Sequence, residues 1–249
     1  MLCKRIIARL DIKGPNLVKG VHMEGLRIIG DPYEFAKHYE EQGADELLYI
    51  DTVASLYGRS NLVETVRKTT MNIFIPITVG GGIRTIEDIR VLLNAGADKV
   101  AINTAAIKNP EFISQAVDCF GSQCIVISIE AKRRDDHWEA YAENGREPTG
   151  KDAIAWIGEA IAMGAGEILL TSIDADGTRK GFDMELISAA AKVCTVPLIV
   201  CGGAGSLDDF ERVFKYDIDA VATGSALHYN MLSISDIKKK ICEKVNIRP

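Results

Sequence analysis

A block of 32 residues occurs twice in this chain. IPITVGGGIRTIEDIRVLLNAGADKVAINTAA (75–106) aligns without a gap to VPLIVCGGAGSLDDFERVFKYDIDAVATGSAL (196–227), and 9 of the 32 positions are identical. The offset, 121 residues, is close to half of the 249-residue chain. GADELLYI (43–50) matches GAGEILLT (164–171) at the same offset, and IIARLDIKG (6–14) matches IVISIEAKR (125–133) at 119. Any fold for this chain must divide into two like halves.

Within each half, short β-branched apolar runs alternate with segments of helical period. Strands are predicted at 5–11, 46–51, 74–79, 98–103, 125–130, 167–172, 197–201 and 219–223. Helices are predicted at 32–42 and 86–95, the second with Ile86, Ile89, Leu92 and Leu93 on one face. Such alternation implies parallel strands joined by right-handed crossovers. Eight units in about 250 residues is the size of a (β/α)8 barrel. The rival, a doubly wound sheet, usually carries a glycine fingerprint after its first strand, and none occurs here. The expectation is an α/β chain forming one TIM-barrel domain over 1–249, from half-barrels of about 1–120 and 121–249.

The repeat gives two acids a meaning. Asp11 and Glu130 end the first and fifth predicted strands, which face each other across a barrel, and barrels place their chemistry where the strands end. Two facing carboxylates suit general acid–base work if unequal surroundings keep one protonated. The plainer reading is that each caps its strand or pairs with the nearby Lys13 or Lys132. The duplicated glycine turns GGG (80–82) and CGGAG (201–205), with AINTAA (101–106) and ATGSA (222–226), supply backbone N–H groups before helices. Asn103, Thr104 and Ser225 add side-chain donors there. Paired anion sites about a barrel diameter apart suggest a small molecule phosphorylated at both ends.

Composition excludes several classes. A net charge of −6 argues against a nucleic-acid surface. The six cysteines form no CxxC pair and the four histidines no HExxH pattern, so neither a metal site nor a cofactor is expected. Most cysteines lie in apolar runs, which predicts buried free thiols in a reducing cytoplasm. The N-terminus does not read as a signal peptide, and no stretch approaches the ~20 apolar residues of a membrane span.

KRII (4–7), LVKG (17–20), TVGGGI (78–83), GADKVAINTAA (96–106), GAGEILLTSIDADGT (164–178) and GGAG (202–205) together resemble the HisF family along nearly the whole chain. HisF chains are the cyclase subunits of imidazole glycerol phosphate synthase. The related isomerase HisA shares the half-barrel repeat, but GEILLTSIDADGT is similar to HisF. The resemblance implies that the chain uses ammonia to convert PRFAR to imidazole glycerol phosphate and AICAR, with Asp11 and Glu130 catalytic. It implies a substrate-contacting Lys19 in the first loop. Phosphate contacts are implied at Gly82, Asn103, Thr104, Asp176, Gly177, Gly203, Gly224 and Ser225. It further implies a HisH-type glutaminase as partner at the opposite end of the barrel, with an ammonia gate of Arg5, Glu46, Lys99 and Glu167 and the nearby Asp98. Without the family, those four charges at strand starts are ordinary, and their alternating sign would allow a salt-bridged ring closing the floor.

Three features depart from the family: Glu130 in place of Asp, Arg9 in place of a small or apolar residue, and KGPNLVKG in the first loop. Alternation along a strand points Arg5, Arg9 and Asp11 inward. A buried Arg9 needs a partner, and Glu130 is the expected one. That pair would keep Glu130 ionised, make it a poorer acid and narrow the ammonia path. The departures resemble a HisF-like branch that serves surface-polysaccharide biosynthesis, in which a HisF–HisH-like pair supplies ammonia for amidation of a sugar. A catalytically silent partner would instead have lost its phosphate loops, and these are present.

Overall fold

A computed structural model of the chain describes residues 3–54 and 62–248. β1 (Arg5–Lys13) leads into a hairpin of β2 (Asn16–Val21) and β3 (Glu24–Gly30), then β4 (Glu46–Asp51), β5 (Ile77–Gly80) and β6 (Lys99–Ile102). β7 (Ile125–Arg134) again leads into a hairpin, β8 (His137–Ala142) and β9 (Glu147–Asp152), followed by β10 (Glu167–Ser172), β11 (Leu198–Cys201) and β12 (Ala220–Thr223). The parallel strands run β1-β4-β5-β6-β7-β10-β11-β12, and β12 pairs back onto β1. This is a closed eight-stranded barrel with helices between its strands. β1 and β7 lie four strands apart in either direction, so Asp11 and Glu130 do face each other.

Strand alternation divides the core in two. One set of side chains packs between barrel and helices, including Ile6, Leu10, Tyr49 and Trp156. The other fills the bore with Ile7, Leu48, Ala101, Val126, Leu169, Ile199 and Ala222. A charged ring lies below this apolar plug and a charged cluster above it. The predicted helices form at Pro32–Glu41 and Ile86–Asn94 because both are well started. Asp31 accepts from Tyr33 N and Glu34 N, and Thr85 and Asp88 close a capping box.

Local devices recur at the 121-residue offset. Ser206 and Asp209 repeat the capping box of Thr85 and Asp88. Asp98 accepts from Ile77 N at 2.8 Å, and Asp219 from Leu198 N at 3.0 Å. The two hairpins, one after the first strand of each half, were not predicted.

Candidate active site

Asp11 and Glu130 are both buried at the barrel mouth, at 4% and 5% exposure, yet their surroundings differ. Asp11 Oδ1 accepts from Arg9 Nε at 2.8 Å and Oδ2 from Lys19 Nζ at 2.7 Å. Lys19, carried inward by β2, also donates to Asp176 at 3.0 and 3.1 Å. Burial opposes ionisation of Asp11, but the adjacent Arg9 and Lys19 outweigh it and hold the carboxyl well below the usual range. Among the described residues, Glu130 has no cation in hydrogen-bond contact, and its Oε2 has no partner. Burial dominates there and pushes its pKa up to about 7, with Arg9 and a hydrogen bond from the Gly145 backbone opposing the rise.

The expected Arg9–Glu130 pair is therefore not formed. Arg9 pairs with Asp11 on its own strand, and its Nη1 donates to Thr171 Oγ1 at 3.1 Å and Cys201 Sγ at 3.4 Å. The expected outcome for Glu130 differs as well: Arg9 does favour its ionised form, but burial outweighs Arg9, so Glu130 is a better proton donor at neutral pH, not a poorer one. The lysines next to the acids in sequence play no part. Lys13 is exposed, and Lys132 lies over the Tyr141 ring.

Glu130 opens onto a cavity of about 350 Å³ whose lining includes Asp51, Gly82, Asn103, Thr104, Ser128 and Asn144. In the second half, a cleft at Asp176, Gly177, Gly203, Gly224 and Ser225 has about 10 Å³, beside an open cleft of about 460 Å³ that Lys19, Gly177, Arg179 and Ser225 line. The inner one is small, with room for roughly one water. The β2–β3 hairpin closes over it. His22 N donates to Asp176 O at 2.8 Å, and Met23 packs against Tyr141 and Ile173. Gly177 permits the approach: it sits at φ +74, and a Cβ there would come within 2.3 Å of Gly20 O. Ser225 Oγ is buried without a partner. Asn103 and Thr104 are engaged in the first half: Asn103 Nδ2 donates to Tyr141 O, and Thr104 Oγ1 accepts from Glu143 N. Both side chains hold the β8–β9 hairpin, and Thr104, Ala105 and Lys108 of the short helix Thr104–Lys108 line the cavity. Asp176 likewise spends its carboxylate on Lys19.

At the opposite end, Arg5, Glu46, Lys99 and Glu167 form a closed ring. Arg5 bridges Glu46 (2.6 Å) and Glu167, and Lys99 bridges Glu46 (3.2 Å) and Glu167 (2.8 Å). Asp98 stands outside the ring as the backbone cap of β5, on the same rim. No cluster of His, Cys, Asp and Glu among the described residues could hold a metal ion. No helix among them is long and apolar enough to cross a membrane.

The family profile described as "Histidine biosynthesis protein" matches residues 5–233. Imidazole glycerol phosphate synthase subunit HisF of Legionella pneumophila is 61% identical over 207 residues, covering 83% of this chain and 98% of the relative. The HisF subunits of Dictyoglomus thermophilum and Natranaerobius thermophilus are 49% and 47% identical over 245 residues, 98% of this chain and 97% and 98% of theirs. The chain belongs to the HisF family. As a HisF chain it is an enzyme component of histidine biosynthesis, of the cyclase class.

The HisF mouth also holds residues that sequence reasoning missed. Asn144 is buried, takes φ +57, and has no partner for either amide atom among the described residues. It lines both the large cavity and the cleft that holds Arg9, Asp11 and Lys19. The signal was the ENG run at 143–145, a turn sequence whose three residues all lie in the left-handed region. Thr171 and Cys201, which seat Arg9, carried no signal of a role; Cys201 is buried as expected of the cysteines, whereas Cys3, Cys119 and Cys242 are exposed, against that expectation.

Proposed function

We propose that Glu130 is the proton donor and Asp11 the proton acceptor of a cyclase reaction in which ammonia and PRFAR give imidazole glycerol phosphate and AICAR. One observation carries this division: Asp11 has both oxygens on cations, whereas Glu130 has an unpaired oxygen on the open cavity. Adding ammonia to a carbonyl carbon and closing a ring takes protons off nitrogen and puts them on departing groups, which needs one base and one acid. The two glycine-lined loop pairs would hold the two phosphates: Gly82, Asn103 and Thr104 on one side, and Gly177, Gly203, Gly224 and Ser225 on the other. Lys19 and Asp176 sit between Asp11 and the second site.

A HisH-type glutaminase, docked at the floor, would supply ammonia through the bore past Arg5, Glu46, Lys99 and Glu167. The test needs no partner: purified protein, PRFAR and ammonium chloride, with AICAR release followed. Turnover is expected. Asp11→Asn and Glu130→Gln should each lower kcat roughly 10²- to 10⁴-fold. A wild type without turnover overturns the reading and favours a barrel that only passes ammonia on.

A further inference from the structure

Arg9 is 3% exposed, and a cation that deep must be answered from several sides. Its contacts come from three strands: Asp11 on β1, Thr171 on β10 and Cys201 on β11. The register shows what this spans. Thr171 is the direct β-partner of both Glu130 and Cys201. The guanidinium therefore reaches from one catalytic carboxylate to the residue flanking the other.

Arg9 and Lys19 balance Asp11 and Asp176, so the buried cluster is neutral before Glu130 is counted. Arg146 acts on Glu130 from the β8–β9 turn. Asp51, Arg84, Lys108 and Glu143 line the cavity it faces. An ionised Glu130 would be a fifth charge at a buried position. Without Arg9 the cluster would carry one lysine against two aspartates, and both Asp11 and Glu130 would drift toward the protonated form.

We infer that Arg9 is the positioning residue that sets the two facing carboxylates apart, by pinning Asp11 as the base and completing a neutral cluster beside Glu130, the acid. This rests on the acid–base assignment proposed above.

The experiment compares wild type with Arg9→Met, Arg9→Lys and Thr171→Val, using ammonium-driven turnover as a ratio to wild type at each pH so that ammonia protonation cancels. The Glu130 carboxyl is titrated in parallel by difference infrared spectroscopy. In Arg9→Met, both the alkaline limb of the rate and the Glu130 titration are expected to move up by about 1 pH unit or more. kcat should fall roughly 10- to 100-fold while KM for PRFAR stays within about threefold. Arg9→Lys should return the limb to its wild-type position but recover kcat only in part, because one ammonium cannot span Asp11 and Thr171 together. If Arg9→Met does not fold, Thr171→Val carries the test: a lower kcat with an unmoved limb is expected, and a wild-type kcat overturns the inference. An Arg9→Met protein that folds but keeps the wild-type limb and carboxyl titration also overturns it. Absence of turnover in the wild type defeats the acid–base assignment instead, and the infrared titration still decides whether Arg9 sets Glu130.

Discussion

Folding raises the pKa of the Glu130 carboxyl, and this has a thermodynamic consequence. Its pKa is about 7 in the fold against an ordinary value of 4.5, so between those pH values the folded chain binds more protons than the unfolded one. Stability from this group is complete below pH 4.5 and is lost as pH rises through 7. At 1.36 kcal/mol per pKa unit the loss is at most about 3 kcal/mol. Glu130→Gln has no such penalty. Its unfolding free energy relative to wild type should rise by about 2–3 kcal/mol between pH 5 and pH 8.5, as measured by urea denaturation at both. A pH-independent difference would show that Glu130 is ionised throughout. The sequence made both carboxylates and their facing positions legible, but not their partners. Alternation fixes which face Arg9 occupies, and it puts Asp11 only about 7 Å further along the same strand. Glu130 lies across the barrel. Proximity along β1 wins, and periodicity alone does not measure the distance across the bore.

The eight barrel strands and the two predicted helices were readable because their signals are local: β-branched runs and apolar residues at helical spacing. The β2–β3 hairpin was hidden. Its turn places His22 and Met23 at φ +54 and +62, the conformation usually given to Asn-Gly. Left-handed backbone at two such residues is unfavourable, and it persists because the tip is bound at its destination by Met23 against Tyr141 and Ile173. The hairpin also carries Lys19, so its docking and the order of the mouth are linked. Met23→Ala should weaken closure by about 2 kcal/mol. Amide hydrogen exchange across residues 17–21 should then speed up roughly 30-fold relative to the barrel strands. Exchange at the wild-type rate would mean that the β1–β2 pairing alone keeps the hairpin down.

Across the whole molecule, capping boxes, strand-start aspartates and post-strand hairpins recur in both halves, and the two ends of the barrel differ in character. The mouth keeps its acids unequal, while the floor keeps its four charges balanced in a ring. A floor that only closed the barrel would be surrounded by polar surface. Beside it, however, Phe74 is 85% and Met71 73% exposed, both on the loop that enters β5 from below. Exposed large apolar side chains grouped at one rim mark a contact surface, and an exposed aromatic is the kind of side chain that anchors one. If the glutaminase docks there, Phe74→Lys should raise the Kd of the complex about tenfold. Glutamine-driven turnover would need correspondingly more glutaminase. Ammonium-driven turnover should stay within about twofold, since Phe74 lies at the far end of the bore from Asp11 and Glu130. Titrating glutaminase into the variant under both nitrogen sources separates the cases. Equal loss with both would mean that Phe74 supports the barrel itself, and no loss with either would place the docking surface elsewhere on the floor.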